Sequence, residues 1–243
     1  RLNYFFFYAA IGAFWPYLGP HLRELGLSGA QIGILSAAQP IAVALLAPAM
    51  GAFADRRAMH RRVMQFALIP SAAAVLLLSQ ATAFPAVLAL FVLWACSIAA
   101  VAPILDSYAI TIGDATNVPY GRLRLAGTFG YIICVVIVGN VLRSAPAGTF
   151  LIIYGGMLLV MIGAAALLPP NQNRAQAAGP PLRFDLREAV GQPALIAVLV
   201  MSFLTAVGMS TLGSFLSIHL IDLGASASLL GVASALLAVG EIP

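Results

Sequence analysis

His21-Leu-Arg-Glu-Leu-Gly-Leu-Ser-Gly-Ala-Gln-Ile-Gly33 recurs as His219-Leu-Ile-Asp-Leu-Gly-Ala-Ser-Ala-Ser-Leu-Leu-Gly231, at an offset of 198 residues, and Ser36-Ala37 and Ser234-Ala235 extend the match. Each copy joins a first apolar run to a second. Self-similarity at a fixed offset is the mark of a repeated structural unit, so the chain is read as one unit followed by the start of another. Both copies lie on the same side of whatever surface the apolar runs cross, so the two units run in parallel orientation.

The composition says what that surface is. Of the 243 residues, 62% are hydrophobic and 8% charged, with a mean hydropathy of +1.00. That is about a third of the charge of a soluble domain, which excludes a water-soluble globule. The 12 basic and 8 acidic residues leave a net charge of only +4, spread over separate sites, so nucleic acid is not an expected partner. Crossing a bilayer as a helix takes about 20 apolar residues, and the length allows about eight crossings. Cys96 and Cys134 both sit inside apolar runs with no metal-ligand spacing, so neither a disulfide framework nor a cofactor or metal site is expected.

Short polar breaks divide the chain into expected helices at Asn3 to Leu22, Ala30 to Ala54, Val63 to Leu78, Pro85 to Ile112, Leu123 to Leu142, Thr149 to Leu168, Pro193 to Leu220 and Ser226 to Pro243. One side of the membrane carries Arg1, Arg56, Arg57, Arg61, Arg62, Arg122, Arg124, Arg174, Arg183 and Arg187, and the other only Arg23 and Arg143. Arginine is retained in the cytoplasm, so the N-terminus is expected there, in a bacterial inner membrane. The stretch 169–192, rich in Pro, Gly, Asn and Gln, reads as a cytoplasmic linker between a six-helix bundle over 1–168 and two helices over 193–243. The expected fold class is therefore all-α and polytopic: a complete six-helix N-terminal half plus the first two helices of a C-terminal half. Twelve helices in two parallel halves about a central site describe a transporter, of which this chain is about two thirds. Gly33 with Ala37 and Gly231 with Ala235 are small-residue pairs that let helices approach closely, as packing or as a gating contact.

Two stretches carry charge where it needs a reason. Gly51-Ala-Phe-Ala-Asp55-Arg56-Arg57-Ala-Met-His60-Arg61-Arg62 puts an acid at a helix end beside a basic turn. Pro103-Ile-Leu-Asp106 places a carboxylate inside an apolar helix, where a lone one costs about 2.5 to 3.5 kcal/mol. It is followed by Tyr120-Gly-Arg122-Leu-Arg124-Leu-Ala-Gly127-Thr-Phe-Gly130-Tyr131. Counted from the middle of the intervening turn, Asp106 and Arg124 are expected to face each other in a hairpin, about 13 Å in at 1.5 Å per residue. Such a pair serves either as a structural tie or as a binding site in which Arg124 grips a polar or anionic group and Asp106 takes hydrogen bonds or a proton. Tyr131 lies on the same helix face as Arg124 and either packs or stacks on a ring. Gln39-Pro40 lines the cavity or kinks its helix. Glu241, the one ionisable group of the last helix, is the other intramembrane carboxylate.

These stretches resemble the major facilitator superfamily. The arginine loop is similar to the family's Gly-xxx-Asp-Arg loop, which implies that Gly51, Asp55, Arg56, Arg61 and Arg62 form a cytoplasmic gate, though His60 stands near a usual Gly. Phe14-Trp-Pro-Tyr with Leu25-Gly-Leu-Ser, Pro103-Ile-Leu-Asp106, and Tyr120-Gly-Arg122-Leu-Arg124-Leu-Ala-Gly127 together resemble the phenylpropionate permease branch, related to the oligosaccharide:proton symporters typified by lactose permease. The resemblance covers essentially the whole chain. It implies substrate binding by Asp106, Arg124, Tyr131 and Glu241, with Asp106 and Glu241 as proton-coupling candidates. Ala126 replaces a usual aromatic and Tyr131 a tryptophan, so a galactoside is not implied. The expected function is secondary transport of a small organic solute (an aromatic acid, a sugar or a nucleoside) by a monomer working with protons and the lipid bilayer. A membrane sensor that binds without transporting is the alternative. An enzyme is not expected, because Asp106 and Asp114 have no His or Cys nearby.

Overall fold

The structure, a computed structural model, describes residues 2–116, 119–168 and 192–240. The described residues form helices joined by short turns: α1 (Leu2–Glu24), α2 (Gly29–Arg57), α3 (His60–Leu78), α4 (Phe84–Ile98), α5 (Val101–Thr116), α6 (Tyr120–Val141), α7 (Thr149–Ala166), α8 (Pro193–Asp222) and α9 (Ala227–Gly240). Five apolar stretches among them are long enough to cross a membrane, namely α2, α3, the run Phe84–Thr111, α6 and α7. Asn3, three tyrosines and two prolines make α1 less apolar, and it lies against α6, α7 and α8 rather than on the outside.

The repeat is also a repeat of backbone chemistry. Gly26 (φ 80°) and Gly224 (φ 89°), 198 residues apart, both take the left-handed conformation that ends a helix without a Cβ penalty. In the first copy Leu27 N bonds to Leu22 O at 3.2 Å and Gly26 N to Arg23 O at 2.9 Å; in the second, Ala225 N bonds to Leu220 O and Gly224 N to Ile221 O, both at 2.9 Å. The serines that follow cap the next helix. Ser28 Oγ accepts from Gln31 N at 3.3 Å and Ser226 Oγ from Leu229 N at 3.2 Å. Gln31 returns the first of these through its Oε1 to Ser28 N at 2.9 Å, completing a capping box.

One expected crossing differs. The run read as a single helix from Pro85 to Ile112 is broken at Ala99 and Ala100 into α4 and α5. Pro103 has no N–H to offer the carbonyl of Ala99, four residues back, and its ring crowds that carbonyl. Helix α6 also starts a turn earlier than expected, at Tyr120 directly after Pro119.

The bundle is held by an aromatic cluster and by close helix contacts. Phe14 of α1, fully buried, has its ring 4.8 Å from that of Trp94 on α4 and 4.6 Å from that of Tyr154 on α7. The Trp94 indole N–H donates to the Tyr154 hydroxyl at 3.0 Å, so the polar tips of two buried rings satisfy each other. Helices α1 and α6 cross on glycines. A Cβ on Gly12 would stand 2.7 Å from the Tyr131 carbonyl oxygen, and one on Gly127 or Gly130 would run into Tyr8 or the Phe5 backbone. Large apolar side chains such as Leu45, Phe66, Leu77, Ile137 and Leu159 point outward, as a lipid-facing surface requires.

Candidate substrate site

Along α6, Arg124, Thr128 and Tyr131 follow a spacing of four and three residues and share one face. With Tyr8 and Trp15 of α1 they form one wall of a cavity of about 360 Å³. The facing wall comes from the second repeat: Gly213, Leu216, Ser217 and Leu220 of α8, and Leu230, Ser234 and Leu237 of α9. The repeat makes the two walls unlike. Gly213 holds in α8 the place of Trp15 in α1, and Ser217 the place of Gly19, so an indole on one side meets open space on the other.

Asp106 lies elsewhere. It lines a second cavity, of about 260 Å³, with Phe14, Gln39, Trp94, Pro103 and Tyr154; Ile11 and Trp15 of α1 line both. Among the described residues Asp106 and Arg124 form no ion pair, contrary to the expected face-to-face pairing. Tyrosines take that place. Asp106 Oδ1 accepts from the Tyr4 hydroxyl and, at 3.0 Å, from the Tyr120 hydroxyl; Tyr8 and Tyr120 interact with the exposed Arg124 guanidinium, and Asp106 acts on it electrostatically. The Tyr4 and Tyr8 rings are stacked, 6.0 Å apart at 10°, and Tyr120 meets Tyr4 edge-on at 6.5 Å. The earlier start of α6 supplies Tyr120, one turn ahead of Arg124. The role of these phenols was missed from sequence, although Tyr4 and Tyr8, like Tyr120 and Arg124, are four apart on one helix face. Glu241 lies outside the described residues; Leu237 and Ala238, just before it, line the larger cavity.

The arginine loop is tied down locally. Asp55 bonds to the buried ring of His60 at 2.7 Å, across a turn in which Ala58 is left-handed (φ 49°), and His60 also meets Tyr108 of α5 edge-on. Arg61 donates to the carbonyls of Ala166 and Leu168 at 3.4 and 3.3 Å, closing the end of α7. The Arg57 guanidinium lies over the Phe53 ring, 5.7 Å from its centre. Arg56 and Arg62 are exposed, and nothing lies within 4 Å of where a Gly51 Cβ would be.

Toward the opposite end of the bundle α1, α6 and α9 pack closely. The Tyr17 hydroxyl donates to Val135 O at 2.5 Å and stands 2.7 Å from where a Cβ would sit on either Gly139 or Gly231. Beside it, Ser228 Oγ donates to Asn140 Oδ1 at 3.2 Å, and Arg23 pairs with Asp222 at 3.4 Å on the exposed rim.

Comparison with known proteins places this geometry. The chain matches the model of the MFS_1 like family over residues 1–243. It is 25% identical over 245 residues to the uncharacterized transporter YwbF of Bacillus subtilis (strain 168), covering 99% of this chain and 60% of that protein. It is 28% identical over 244 residues to the maltose permease of Geobacillus stearothermophilus, covering 100% and 61%. The chain thus spans about three fifths of the length of these curated relatives. The crystal structure of the nucleoside transporter NupG shares the fold, with a TM-score of 0.80 at 15% identity, over 98% of this chain and 62% of that one.

Proposed function

The chain belongs to the MFS_1 like family, transporters of the major facilitator type, and on that footing we propose that it carries a small organic solute by alternating access, in symport with protons. The observation that carries this reading is the 360 Å³ cavity between repeat-related helices, with Arg124 and Tyr131 in its wall. Its volume is within the usual range for sites that enclose a small molecule, about 300 to 1,000 Å³. A site between two repeats that rock against each other opens to one side at a time.

In this reading the halves are 1–168 and 193–243 joined by 169–192, and the arginine-rich end is cytoplasmic in a bacterial inner membrane. Arg124 holds an anionic or acceptor group through its planar fork of donors, and Tyr131 covers a ring. Asp106, with the phenols of Tyr4 and Tyr120 on one oxygen, is one proton-coupling carboxylate and Glu241 the other. Asp55 with Arg56, Arg61 and Arg62 belongs to the cytoplasmic gate at the end of α2 that Gly51 begins. The protein works as a monomer in the bilayer. Its substrate is an aromatic acid, a sugar or a nucleoside.

The test is uptake into proteoliposomes of the full-length protein under an imposed proton gradient, acid outside, with 3-phenylpropionate, maltose and uridine as probes. One probe accumulates, the accumulation collapses with a protonophore, and Arg124→Ala abolishes it. Binding without uptake overturns transport in favour of a sensor; uptake indifferent to the gradient overturns proton coupling.

A further inference from the structure

Arg124 lines the larger cavity and Asp106 the smaller, and among the described residues the two form no ion pair. Three phenols stand around them, in different positions. Tyr4 donates to Asp106, and Tyr8 interacts with Arg124. Tyr120 does both: its hydroxyl donates to Asp106 Oδ1 at 3.0 Å and also interacts with the Arg124 guanidinium. The other polar groups that line the smaller cavity with Asp106, Gln39 of α2, Trp94 of α4 and Tyr154 of α7, carry no charge, and Arg124 is the cation that acts on it electrostatically.

The supply of donors and acceptors fixes the direction of each bond. A phenol has one hydrogen to give, an ionised carboxylate only accepts and a guanidinium only donates. With its hydrogen on Asp106, Tyr120 has only its oxygen to offer Arg124. The bonds therefore run one way, from Arg124 to the Tyr120 oxygen and from the Tyr120 hydrogen to Asp106. A proton arriving from water on Asp106 Oδ1 turns that oxygen into a donor, which needs an acceptor. When the bond to Tyr120 reverses, the Tyr120 oxygen takes the new hydrogen and Arg124 is released. The converse also holds, because a ligand oxygen that takes the Arg124 donors frees the Tyr120 oxygen for the proton on Asp106. Linkage makes the two effects one free energy, so ligand and proton favour each other equally.

We infer that Tyr120 is the positioning residue that couples the two cavities, its hydroxyl reversing between Arg124 and Asp106 so that a ligand oxygen on the one and a proton on the other are taken up together. The inference rests on the reading of Arg124 as the ligand-holding group and of Asp106 as a proton-coupling carboxylate, and it names the link between them.

The experiment uses the full-length protein in detergent, with whichever of 3-phenylpropionate, maltose or uridine the wild type binds. In weak buffer at neutral pH an indicator dye reads the protons taken up per probe bound, a ratio that a loss of folded protein does not move. The wild type takes up protons with the probe, Asp106→Asn takes up none, and Tyr120→Phe takes up at least about fivefold fewer than the wild type. The second arm needs no Tyr120 variant. In infrared difference spectra of the wild type, taken against Asp106→Asn, the probe raises a protonated-carboxyl band and shifts a tyrosine C–O band. A wild-type ratio in Tyr120→Phe, with uptake lost in Asp106→Asn, overturns the inference and leaves the proton site standing. So does a carboxyl band that rises over unmoved tyrosine bands, and so does loss of proton uptake in Tyr4→Phe while Tyr120→Phe keeps it. Probe binding without proton uptake by the wild type overturns the reading of Asp106 as a coupling group, and the inference with it.

Discussion

Tyr120 donates a 3.0 Å hydrogen bond to Asp106 Oδ1, tying the first turn of α6 to the middle of α5. The same oxygen also accepts from Tyr4 of α1, so one carboxylate joins three helices. Hydrogen bonds to a charged group contribute about 1.5 to 3 kcal/mol, more than those between neutral groups. Removing Tyr120's hydroxyl as Tyr120→Phe is therefore expected to lower stability by about 1 to 2 kcal/mol. The double-mutant cycle with Asp106→Asn measures it: coupling of at least about 0.5 kcal/mol is expected, and strict additivity would show that the contact carries no energy.

Arg124→Lys keeps the charge and loses the planar fork of donors. Uptake is expected to show a KM raised about tenfold or more, as for the loss of one charge-assisted hydrogen bond. A lysine variant with wild-type KM would show that Arg124 acts as a point charge only.

Gly231 faces the Val135 carbonyl and the Tyr17 hydroxyl at distances that leave no room for a side chain, 2.7 Å from its missing Cβ to each. Gly231→Val is expected to part α6 from α9 at the end marked by Arg23 and Asp222. The measurement is alkylation of Thr128→Cys, in the cavity wall, by an impermeant maleimide added from that end. Labelling at least about fivefold faster than in the parent is expected if the end opens, and an unchanged rate would mean that other contacts keep it shut.

Ala58 adopts φ 49° between α2 and α3, where an L-residue with a Cβ pays roughly 1 kcal/mol. Its N–H bonds to Asp55 O at 3.2 Å, and that of Met59 to Ala54 O at 3.0 Å, so the turn cannot relax without losing both. Ala58→Gly is expected to raise the melting temperature by a few degrees, and Ala58→Val to lower it. A glycine variant that melts below the parent would show that the turn is unstrained.

Much of this was legible in the residues because the interactions involved are local. The helix at Gly29 begins where Ser28 and Gln31 cap each other, and the one at Ala227 where Ser226 Oγ accepts from Leu229 N; glycine ends the helix before each. These bonds span a few residues, so the chain specifies them wherever it is placed. The break before Pro103 is local too, but proline is tolerated inside α1, α2 and α3, so its effect at Ala99 was not evident from the residue type.

The candidate site was legible only in part. Arg124 and Tyr131 share a face by helical period alone, and the structure puts them in one cavity, with Thr128 between them. Asp106 was expected opposite Arg124 from a count along the hairpin; Tyr120, which the earlier start of α6 adds, bonds to Asp106 and interacts with Arg124, and among the described residues the two charges form no direct ion pair.

The sequence by itself determined the membrane class, the helices, the repeated turn and the charged residues that need partners, because hydropathy and backbone hydrogen bonding depend on neighbours a few positions away. Only the tertiary structure decided that Asp106 answers to Tyr4 and Tyr120 and that Tyr17 bonds to Val135. Those outcomes depend on how far helices distant in sequence approach and turn, and close packing at Gly12, Gly130, Gly139 and Gly231 sets that approach over distances no local pattern encodes.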